Sequence, residues 1–137
     1  SFARLLGYYL SEGCVSRNGN TYKVIFTFGS HESEYVEDVL QAIERLGLRG
    51  CVEYRASTIA VATTSWLLGH ALKSVWNCGA NAYTKALPSF VFHWSKPLQR
   101  EVLKGLLRGD GSISTACNGN HAKITFATVS KRLSEQV

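Results

Sequence analysis

The sequence predicts an α+β fold in which an antiparallel sheet carries its helices on one side. Three observations support this: one segment is repeated, a hairpin signal follows each copy, and the first copy reads helix, hairpin, helix, hairpin, helix. The repeated segment is Leu5–Gly13 (LLGYYLSEG), which returns as Leu103–Gly111 (LKGLLRGDG). Because the similarity extends over roughly thirty residues, chance is a poor explanation and the chain is treated as an internal repeat.

Turn residues divide the first copy into predicted elements. These are a helix over Phe2–Glu12, strands over Cys14–Arg17 and Tyr22–Phe28, a second helix ending at Gly47, strands over Arg49–Arg55 and Thr58–Thr63, and a third helix. The Asn-Gly pair at residues 18–19 is a strong signal for the first hairpin turn. Ser30 is the predicted N-cap of the second helix.

The second copy contains a motif helix, a hairpin and the start of its next helix. Residues 118–120 repeat the Asn-Gly-Asn of residues 18–20, and Ser130 repeats Ser30. The sequence ends at Val137, within this next helix. We therefore predict a complete first repeat over residues 1–98 and a truncated second repeat over residues 99–137. Because the chain starts directly on a motif helix, we also expect it to be a piece of a longer protein.

Small residues recur on one face of each motif helix. They are Ala3, Gly7 and Ser11 in the first copy, and Gly105 and Gly109 in the second. Helices lined with small side chains can approach each other near the short end of the roughly 8–10 Å interaxial range. The alternative is that these are merely tolerated helix glycines, which cost about 1 kcal/mol each relative to Ala. Because the pattern occurs in both copies, we predict that the motif helices pack side by side.

Each motif helix ends in a carboxylate followed by glycine. Side-by-side packing would bring Glu12 and Asp110 to one place, where two carboxylates repel each other unless a cation lies between them. Mg²⁺ binds oxygen ligands and keeps water, which suits hydrolysis by a metal-activated water. The alternative is that each acid is simply solvated at its helix end. The predicted site for Mg²⁺ or Mn²⁺ consists of Glu12, Gly13, Asp110 and Gly111.

Composition indicates a globular protein and favours a polyanionic partner without requiring one. The chain has 137 residues, of which 45% are hydrophobic, and a net charge of +5. Its four cysteines include no C-x-x-C pair, which disfavours a zinc site and indicates free thiols in a reducing compartment. No signal peptide or membrane-spanning run is present, so we expect a cytoplasmic protein with no membrane partner.

The paired motifs resemble the LAGLIDADG motifs of homing endonucleases, in the dodecapeptide form found within inteins. Residues 79–92 (GANAYTKALPSFVF) are similar to the Gly-Ala, Lys and Pro stretch that precedes the second motif in intein-borne members. The resemblance implies αββαββα repeats, a saddle-shaped antiparallel sheet on double-stranded DNA, and site-specific metal-dependent hydrolysis of both strands. It also implies that Lys85 acts with Glu12 and Asp110, either by stabilising charge on the phosphate or by tuning the attacking water. The equivalent lysine of the second half would lie beyond Val137.

Polar hairpin residues that leave the core are the predicted DNA contacts, because such side chains can reach phosphates or base edges. They are Arg17, Asn18, Asn20, Lys23, Glu53, Arg55, Thr58, Asn118, His121 and Lys123. Plain solvent-facing polarity is the alternative for each residue.

Two other functions stay open. One is a non-cleaving DNA- or RNA-binding module of the same fold, and the other is an inactive fragment that needs a second chain to complete its truncated half. The presence of both motif acids favours the endonuclease.

Overall fold

Two αββα units follow each other along the chain, and the first continues into a further hairpin and helix. The structure is a computed structural model that describes residues 1–115 and 122–137. The first repeat contains α1 (Phe2–Glu12), β1 (Gly13–Asn18), β2 (Thr21–Gly29), α2 (Ser33–Arg45), β3 (Gly50–Tyr54), β4 (Thr58–Thr64) and α3 (Trp66–His70), which a π-helical turn (Ala71–Val75) extends. The second contains α4 (Lys96–Asp110), β5 (Gly111–Thr115), β6 (Ala122–Phe126) and α5 (Lys131–Gln136). The predicted αββαββα order is confirmed.

The first repeat forms a four-stranded antiparallel sheet with the strand order β1-β2-β4-β3, and β5 pairs with β6 in a separate sheet. Burial alternates along β2 with the period of a strand. Its buried residues are Tyr22, Val24, Phe26 and Phe28, and its partly exposed ones include Lys23, Ile25 and Thr27. We call the side of the sheet that carries Lys23, Ile25 and Thr27 the open face, and the other side the covered face.

Aromatic contacts hold α1 against the covered face. The ring of Tyr8 meets Phe28 edge to face at a centroid distance of 5.7 Å, and Tyr9 meets Phe26 at 6.3 Å. Edge-to-face pairs of this kind stabilise a core beyond the area that they bury. The orientation of α1 on the sheet, and hence of its carboxyl end, is fixed by these two pairs.

Glycines bring the backbones of α1 and α4 into contact. A Cβ atom on Gly7 would overlap the carbonyl oxygen of Val102, and one on Gly105 would overlap the carbonyl oxygen of Arg4. A Cβ on Gly109 would instead overlap the side chain of Ser11. Such overlap with backbone atoms cannot be relieved by rotating a side chain, so the two helices can cross this closely only with glycine at residues 7 and 105. Ala3, earlier on α1, is buried in the core.

Asp38 of α2 links the two motif helices. Its carboxylate accepts hydrogen bonds from Arg4 on α1 (3.1 and 3.2 Å) and from Arg108 on α4 (3.0 Å). It also accepts one from the Tyr8 hydroxyl at 2.9 Å. Burial alone would raise the pKa of Asp38, but the hydrogen bonds and charges of these partners hold it below its usual range. A second helix of the first repeat therefore ties both motif helices together.

The predicted N-cap at Ser30 is wrong. The N–H of Ser30 donates to the carbonyl of Ser57 (3.1 Å), which keeps residue 30 in the connection to the β3–β4 turn. The N-cap of α2 is Glu32, whose carboxylate accepts from the N–H of Gly29 at 2.6 Å. The repeated residue behaves differently, because the Ser130 hydroxyl caps α5 by accepting from the N–H of Leu133 at 3.3 Å.

The described residues contain no helix with both the length and the apolar character needed to cross a bilayer. Cys14, Cys51 and Cys78 are free thiols.

Candidate active site and nucleic-acid interface

The packed motif helices deliver their carboxylates to the same end. Glu12 is the last residue of α1, and Asp110 is the last residue of α4. A Cβ on Gly109 would lie 3.0 Å from Cγ of Glu12, so the Glu12 side chain lies beside the residue that precedes Asp110. Both carboxylates are partly buried. The repeated sequence thus produces a two-carboxylate site from residues almost a hundred positions apart.

Burial and nearby charge shift the ionisation of both carboxylates. Burial, followed by the negative charges of Asp110 and Glu32, raises the pKa of Glu12 to about 7, although Lys85 opposes the change. Burial also raises the pKa of Asp110 above its ordinary value, again against the charge of Lys85. A pair of this kind retains a proton near neutral pH unless a cation takes its place. Glu32, which sequence reasoning missed, adds negative charge because the β2–α2 turn returns it towards Glu12.

The donor set fits a hard divalent cation. Carboxylate oxygens are the ligands that Mg²⁺ and Mn²⁺ prefer, and Mg²⁺ keeps several of its waters. The part of the chain that the structure describes holds no cluster of three or more Asp, Glu, His or Cys side chains able to bind a metal. Glu12 and Asp110 would therefore supply the side-chain ligands, and carbonyl oxygens and water would fill the other positions.

Gly13 and Gly111 take the chain from helix to strand in a single step. Their backbone angles are nearly equal, φ −91° and ψ 153° for Gly13 against φ −92° and ψ 156° for Gly111. A Cβ on Gly13 would lie 2.7 Å from Cα of Tyr9, and one on Gly111 would lie 2.7 Å from Cα of Leu107. Glycine is needed here for space beside the last helical turn. The role of both residues as metal ligands stays a prediction.

Lys85 is a buried cation at the end of α1. Its side chain is almost completely buried, and its ammonium donates to the carbonyls of Tyr9 and Gly13 and lies 3.7 Å from the centroid of the Tyr9 ring. Burial lowers the pKa of Lys85 to about 8, although Cys14, Cys78 and the two motif carboxylates oppose this. A cation suits this position because the carboxyl end of a helix is negative. The ammonium thus faces the carboxyl end of α1. The role of Lys85 in stabilising charge on the phosphate or in tuning the attacking water stays a prediction.

Most of the predicted DNA contacts lie on the open face or at its edges. Asn18, Lys23 and Glu53 line a shallow groove of about 350 Å³. Thr58 begins β4 and is partly exposed, Asn20 is exposed in the β1–β2 turn, and Lys123 is exposed on β6. Arg49 also lines the groove and was not predicted. Its position two residues before Cys51 and four before Glu53 is the alternation that could have identified it.

Arg17 lies on the other side of the sheet from Lys23, contrary to the grouping that the sequence favoured. It pairs with Tyr22 in the β1–β2 register, its Cζ lies 5.8 Å from the Tyr22 ring centroid, and its Nε donates to the carbonyl of Gly19 at 3.2 Å. Strict alternation from buried Val15 leads to this placement.

Arg55 lies in the β3–β4 turn, where it forms an exposed ion pair with Glu53 at 3.4 Å. Asn118 and His121 lie outside the described residues.

Acidic residues are concentrated in one part of the chain and are almost absent from the strands of the first sheet. Residues 13–31 and 54–100 contain no Asp or Glu, whereas five of the ten acidic residues lie within residues 32–44, in and just before α2. Glu53 is the single acid within the four strands of the first sheet. A sheet with a single acid, and with half of all the acids in and just before α2, suits a polyanion bound on the open face.

Comparison with known proteins identifies the family. Residues 1–76, more than half of the chain, match the family described as LAGLIDADG-like domain. The chain belongs to the LAGLIDADG family.

Related segments occur within much longer proteins. An uncharacterized protein of Methanocaldococcus jannaschii is 39% identical over 99% of the chain, which spans 16% of that protein. An iron-sulfur cluster assembly SufBD family protein of Mycobacterium tuberculosis is 33% identical over 82% of the chain, which spans 14% of it. A DNA polymerase of Pyrococcus horikoshii is 31% identical over the whole chain, which spans 9% of it.

Solved structures show the same fold. A variant of I-DmoI in complex with its target DNA and Mn has a TM-score of 0.57, 18% identity, and coverage of 80% of this chain and 59% of that one. Another complex of I-DmoI with DNA and Mn gives 0.55, with the same identity and coverage of 80% and 61%. I-DmoI is a homing endonuclease, and related structures contain Mg or Ca. At this identity the likeness establishes the fold.

We expect the stability of the metal-free protein to fall as pH rises through the pKa of Glu12. The ordinary pKa is 4.5 and the folded value is about 7, so the folded state binds this proton more tightly. The resulting stabilisation is present at low pH and is lost between pH 4.5 and 7, at a cost of about 1–3 kcal/mol after allowance for the solvent that reaches the group. Urea unfolding at pH 5 and pH 8 measures this loss, and Mn²⁺ at pH 8 should reverse it.

Glu12→Gln should remove most of this pH dependence, whereas Glu34→Gln, at an exposed position on α2, should leave it unchanged. Equal pH profiles for the wild type and Glu12→Gln would contradict the assignment.

Proposed function

We propose that this chain is the DNA-recognition and cleavage unit of an intein-borne homing endonuclease that hydrolyses phosphodiester bonds with Mg²⁺ or Mn²⁺. The observation that carries the proposal is the meeting of Glu12 and Asp110 at one end of two packed helices, with the pKa of Glu12 raised partly by Asp110. Family membership supports nuclease activity at the level of the class.

Double-stranded DNA is the substrate that the open face fits best. Its groove carries Lys23, Arg49 and Asn18, which offer cations for phosphates and an amide for base edges. A two-stranded β-ribbon such as β1–β2 has dimensions that fit the major groove. The similar structures of I-DmoI are complexes with target DNA, which supports the same class of partner for this chain.

The residues of the chain would divide the chemical work. When bound, the divalent metal would polarise a phosphoryl oxygen of the DNA and activate a water for attack. Glu12 and Asp110 would hold it, and the contact between α1 and α4 keeps the ends of the two helices that bear these carboxylates together. Lys85 holds the carbonyl at Gly13 and so keeps the end of α1 in place. The open face would position the duplex so that the scissile phosphate lies at the helix ends, which lowers the entropic part of the barrier.

The pattern of relatives supports the intein assignment. Segments like this one occupy 6–16% of proteins with unrelated names, among them a SufBD family protein, a replication factor C small subunit and DNA polymerases. A unit that recurs inside unrelated hosts behaves as an inserted element. An element that cuts chromosomal DNA has to meet it inside the cell, so a cytoplasmic location forms part of the proposal.

Nicking of a supercoiled plasmid library with random inserts tests the proposal. The purified chain should nick the library in Mg²⁺ or Mn²⁺ and should do nothing in excess EDTA. Filter binding of a labelled duplex in Ca²⁺ then separates the alternatives. Binding without nicking in Mg²⁺ or Mn²⁺ would favour the non-cleaving module, and absence of both would overturn the proposal.

A second candidate concerns completion of the second repeat by another chain. Ile124 is 59% exposed, whereas its counterpart in the first repeat, Val24, is fully buried. Leu103 is 42% exposed, whereas its counterpart Leu5 is 3% exposed. Both line an open groove of about 560 Å³ between α4 and β6. Apolar side chains that the first repeat buries are therefore uncovered in the second, which supports a partner chain at this groove.

We expect this groove to drive self-association. Light scattering after gel filtration should show a dimer whose fraction increases with protein concentration up to about 100 µM, which corresponds to a weak association of about 5 kcal/mol. Leu103→Lys should shift the chain to monomer because it places a charge in the contact, whereas Leu46→Lys, at an equally exposed position after α2, should not. A wild type that stays monomeric at this concentration would contradict the expectation.

A further inference from the structure

Two cations converge on one tyrosine ring at the end of the sheet that bears the β1–β2 turn. The guanidinium carbon of Arg17 lies 5.8 Å from the ring centroid of Tyr22, and Nζ of Lys73 lies 5.6 Å from it. Both cationic side chains are exposed, whereas Tyr22 is 9% exposed. Within the described part of the chain, neither cation forms an ion pair with a carboxylate. An exposed cation–π contact is weak, so the ring orients the two cations but does not neutralise their charge.

The packing of α3 fixes Lys73 at this position. The N–H of Ser65 donates to the carbonyl of Tyr22 at 3.0 Å, which attaches the start of α3 to β2. A Cβ atom on Gly69 would overlap Cβ of Tyr22, so the helix touches the tyrosine directly where it has no side chain. Lys73 follows Gly69 by about one turn and therefore lies on the side that faces the ring. The position of the ammonium thus follows from backbone packing.

The described residues around the two cations supply no counter-ion. No acid occurs in residues 13–31 or 54–100, which include β1, β2, β4 and α3. Trp66 of α3 is exposed and His70 is partly exposed, and their rings stack with centroids 4.6 Å apart at an interplanar angle of 12°. Two like charges oriented on one ring repel each other, and an anion bound between them would remove that cost.

The position of this pair relative to the open face indicates which anion. Lys23 is the residue after Tyr22 and pairs with Thr64, and α3 begins only two residues further on. Asn18 and Asn20 lie in the same corner, at the β1–β2 turn. A duplex on the open face that contacts Lys23 would carry its sugar–phosphate backbone past this edge of the sheet. Free inorganic phosphate is too small to contact Lys23 on the open face and this pair of cations at the same time.

We propose that Arg17 and Lys73 form a phosphate clamp around Tyr22 that binds the DNA backbone beyond the edge of the open face. The clamp rests on the proposed function, because it extends the same interface onto α3. Its ligand is the phosphodiester backbone of duplex DNA, and its contacts do not distinguish one base sequence from another. It explains why Arg17, although turned away from Lys23, belongs to the interface.

The salt dependence of DNA binding tests the clamp. Fluorescence anisotropy with a labelled duplex of about 40 base pairs, in KCl from roughly 50 to 300 mM and with Ca²⁺, gives the slope of log K against log[salt]. Each lost phosphate contact reduces that slope by about 0.9. The double variant Arg17→Gln/Lys73→Gln should lower the slope by about 1–2 and weaken binding about tenfold near 0.1 M salt. Arg45→Gln, at an exposed cation that ends α2, is the matched control and should leave the slope unchanged.

The outcomes separate the clamp from the proposed function. A double variant with the wild-type slope, while Lys23→Gln still lowers it, would overturn the clamp and leave DNA binding intact. Failure of the wild type to bind the duplex would overturn both. Because both replaced side chains are exposed, the double variant should keep its thermal midpoint within a few degrees. Gly69→Ala gives a second route, since it displaces α3 from Tyr22 and should lower the slope by about one contact.

Discussion

Replacement of Asp110 by Asn should abolish metal-dependent nicking while leaving the affinity for DNA within about twofold. The substitution keeps the shape of the side chain but removes the negative charge that would hold the cation beside Glu12. We expect a loss of nicking rate of at least roughly 10²–10³-fold, the size seen when one preorganised electrostatic contact is lost. Binding should persist because Asp110 ends α4 and lies off the strands that carry the open face. Single-turnover nicking of plasmid in Mn²⁺ measures the first effect, and anisotropy in Ca²⁺ measures the second.

Two further variants make this result interpretable. Glu12→Gln should lose nicking to a similar extent, since the two carboxylates act on one cation. Glu44→Gln removes an exposed acid near the end of α2 and should leave nicking intact, so it controls for a general change of charge. If the Asp110→Asn variant nicked DNA at the rate of the wild type, the assignment of Asp110 to a metal site would be wrong. Loss of DNA binding together with nicking would point to damaged packing, which a thermal melt detects.

Gly105→Ala should destabilise the protein by about 2–4 kcal/mol, although alanine is the better helix former. Helix propensity alone favours Ala over Gly by about 1 kcal/mol. Against this, the new Cβ would overlap the carbonyl oxygen of Arg4 and lie 2.8 Å from the amide nitrogen of Tyr8, so α1 and α4 would have to separate. Overpacking against side chains typically costs about 1–3 kcal/mol, and a clash with backbone has less room to relax. A cost of about 3 kcal/mol exceeds the propensity gain of about 1 kcal/mol, so the net effect is a loss of stability. Urea unfolding measures the change.

Gly109→Ala is the matched control on the same helix. Its added Cβ meets the hydroxyl of Ser11, which can rotate away, and lies 2.5 Å from the Ser11 Cβ, which only a small shift of the helices can relieve. It meets no backbone atom of α1 as closely as a Cβ on Gly105 does. We therefore expect it to destabilise the protein by at least about 1 kcal/mol less than Gly105→Ala does. If Gly105→Ala instead stabilised the chain by the propensity difference, the backbones of α1 and α4 would not be in contact.

Features that depend on the repeat could be predicted from sequence. The helix and hairpin after each motif follow from periodicity and from the Asn-Gly turn, and α1 has the predicted bounds Phe2–Glu12. The contact between α1 and α4 was also predictable, because Gly7 and Gly105 occupy equivalent places in the two copies. Local pattern and long-range packing point to the same arrangement at these positions, which is what a sequence with one preferred fold requires.

Features that depend on distant partners could not be predicted. Ser30 has the chemistry of a helix cap, but its N–H is held by Ser57 and the helix starts later. In the sequence Lys85 looks like a surface lysine in a loop. Its burial depends on carbonyls at the end of α1 and on the Ser130 hydroxyl, which donates to the backbone carbonyl of Lys85 at 2.6 Å. Arg17 was grouped with Lys23 as a polar hairpin residue that leaves the core, although strand alternation places the two on opposite sides of the sheet.

The carboxylate of Asp38 has a consequence for how the chain folds and opens. It receives hydrogen bonds from Arg4 near the beginning of the first motif helix and from Arg108 near the end of the second. Local loosening of either helix would leave a partly desolvated charge without its partner, which is costly. Partial opening is thereby penalised, and the duplicated halves should melt in a single concerted transition. The boundary between the repeats is thus a feature of the gene's history and not of the folding unit.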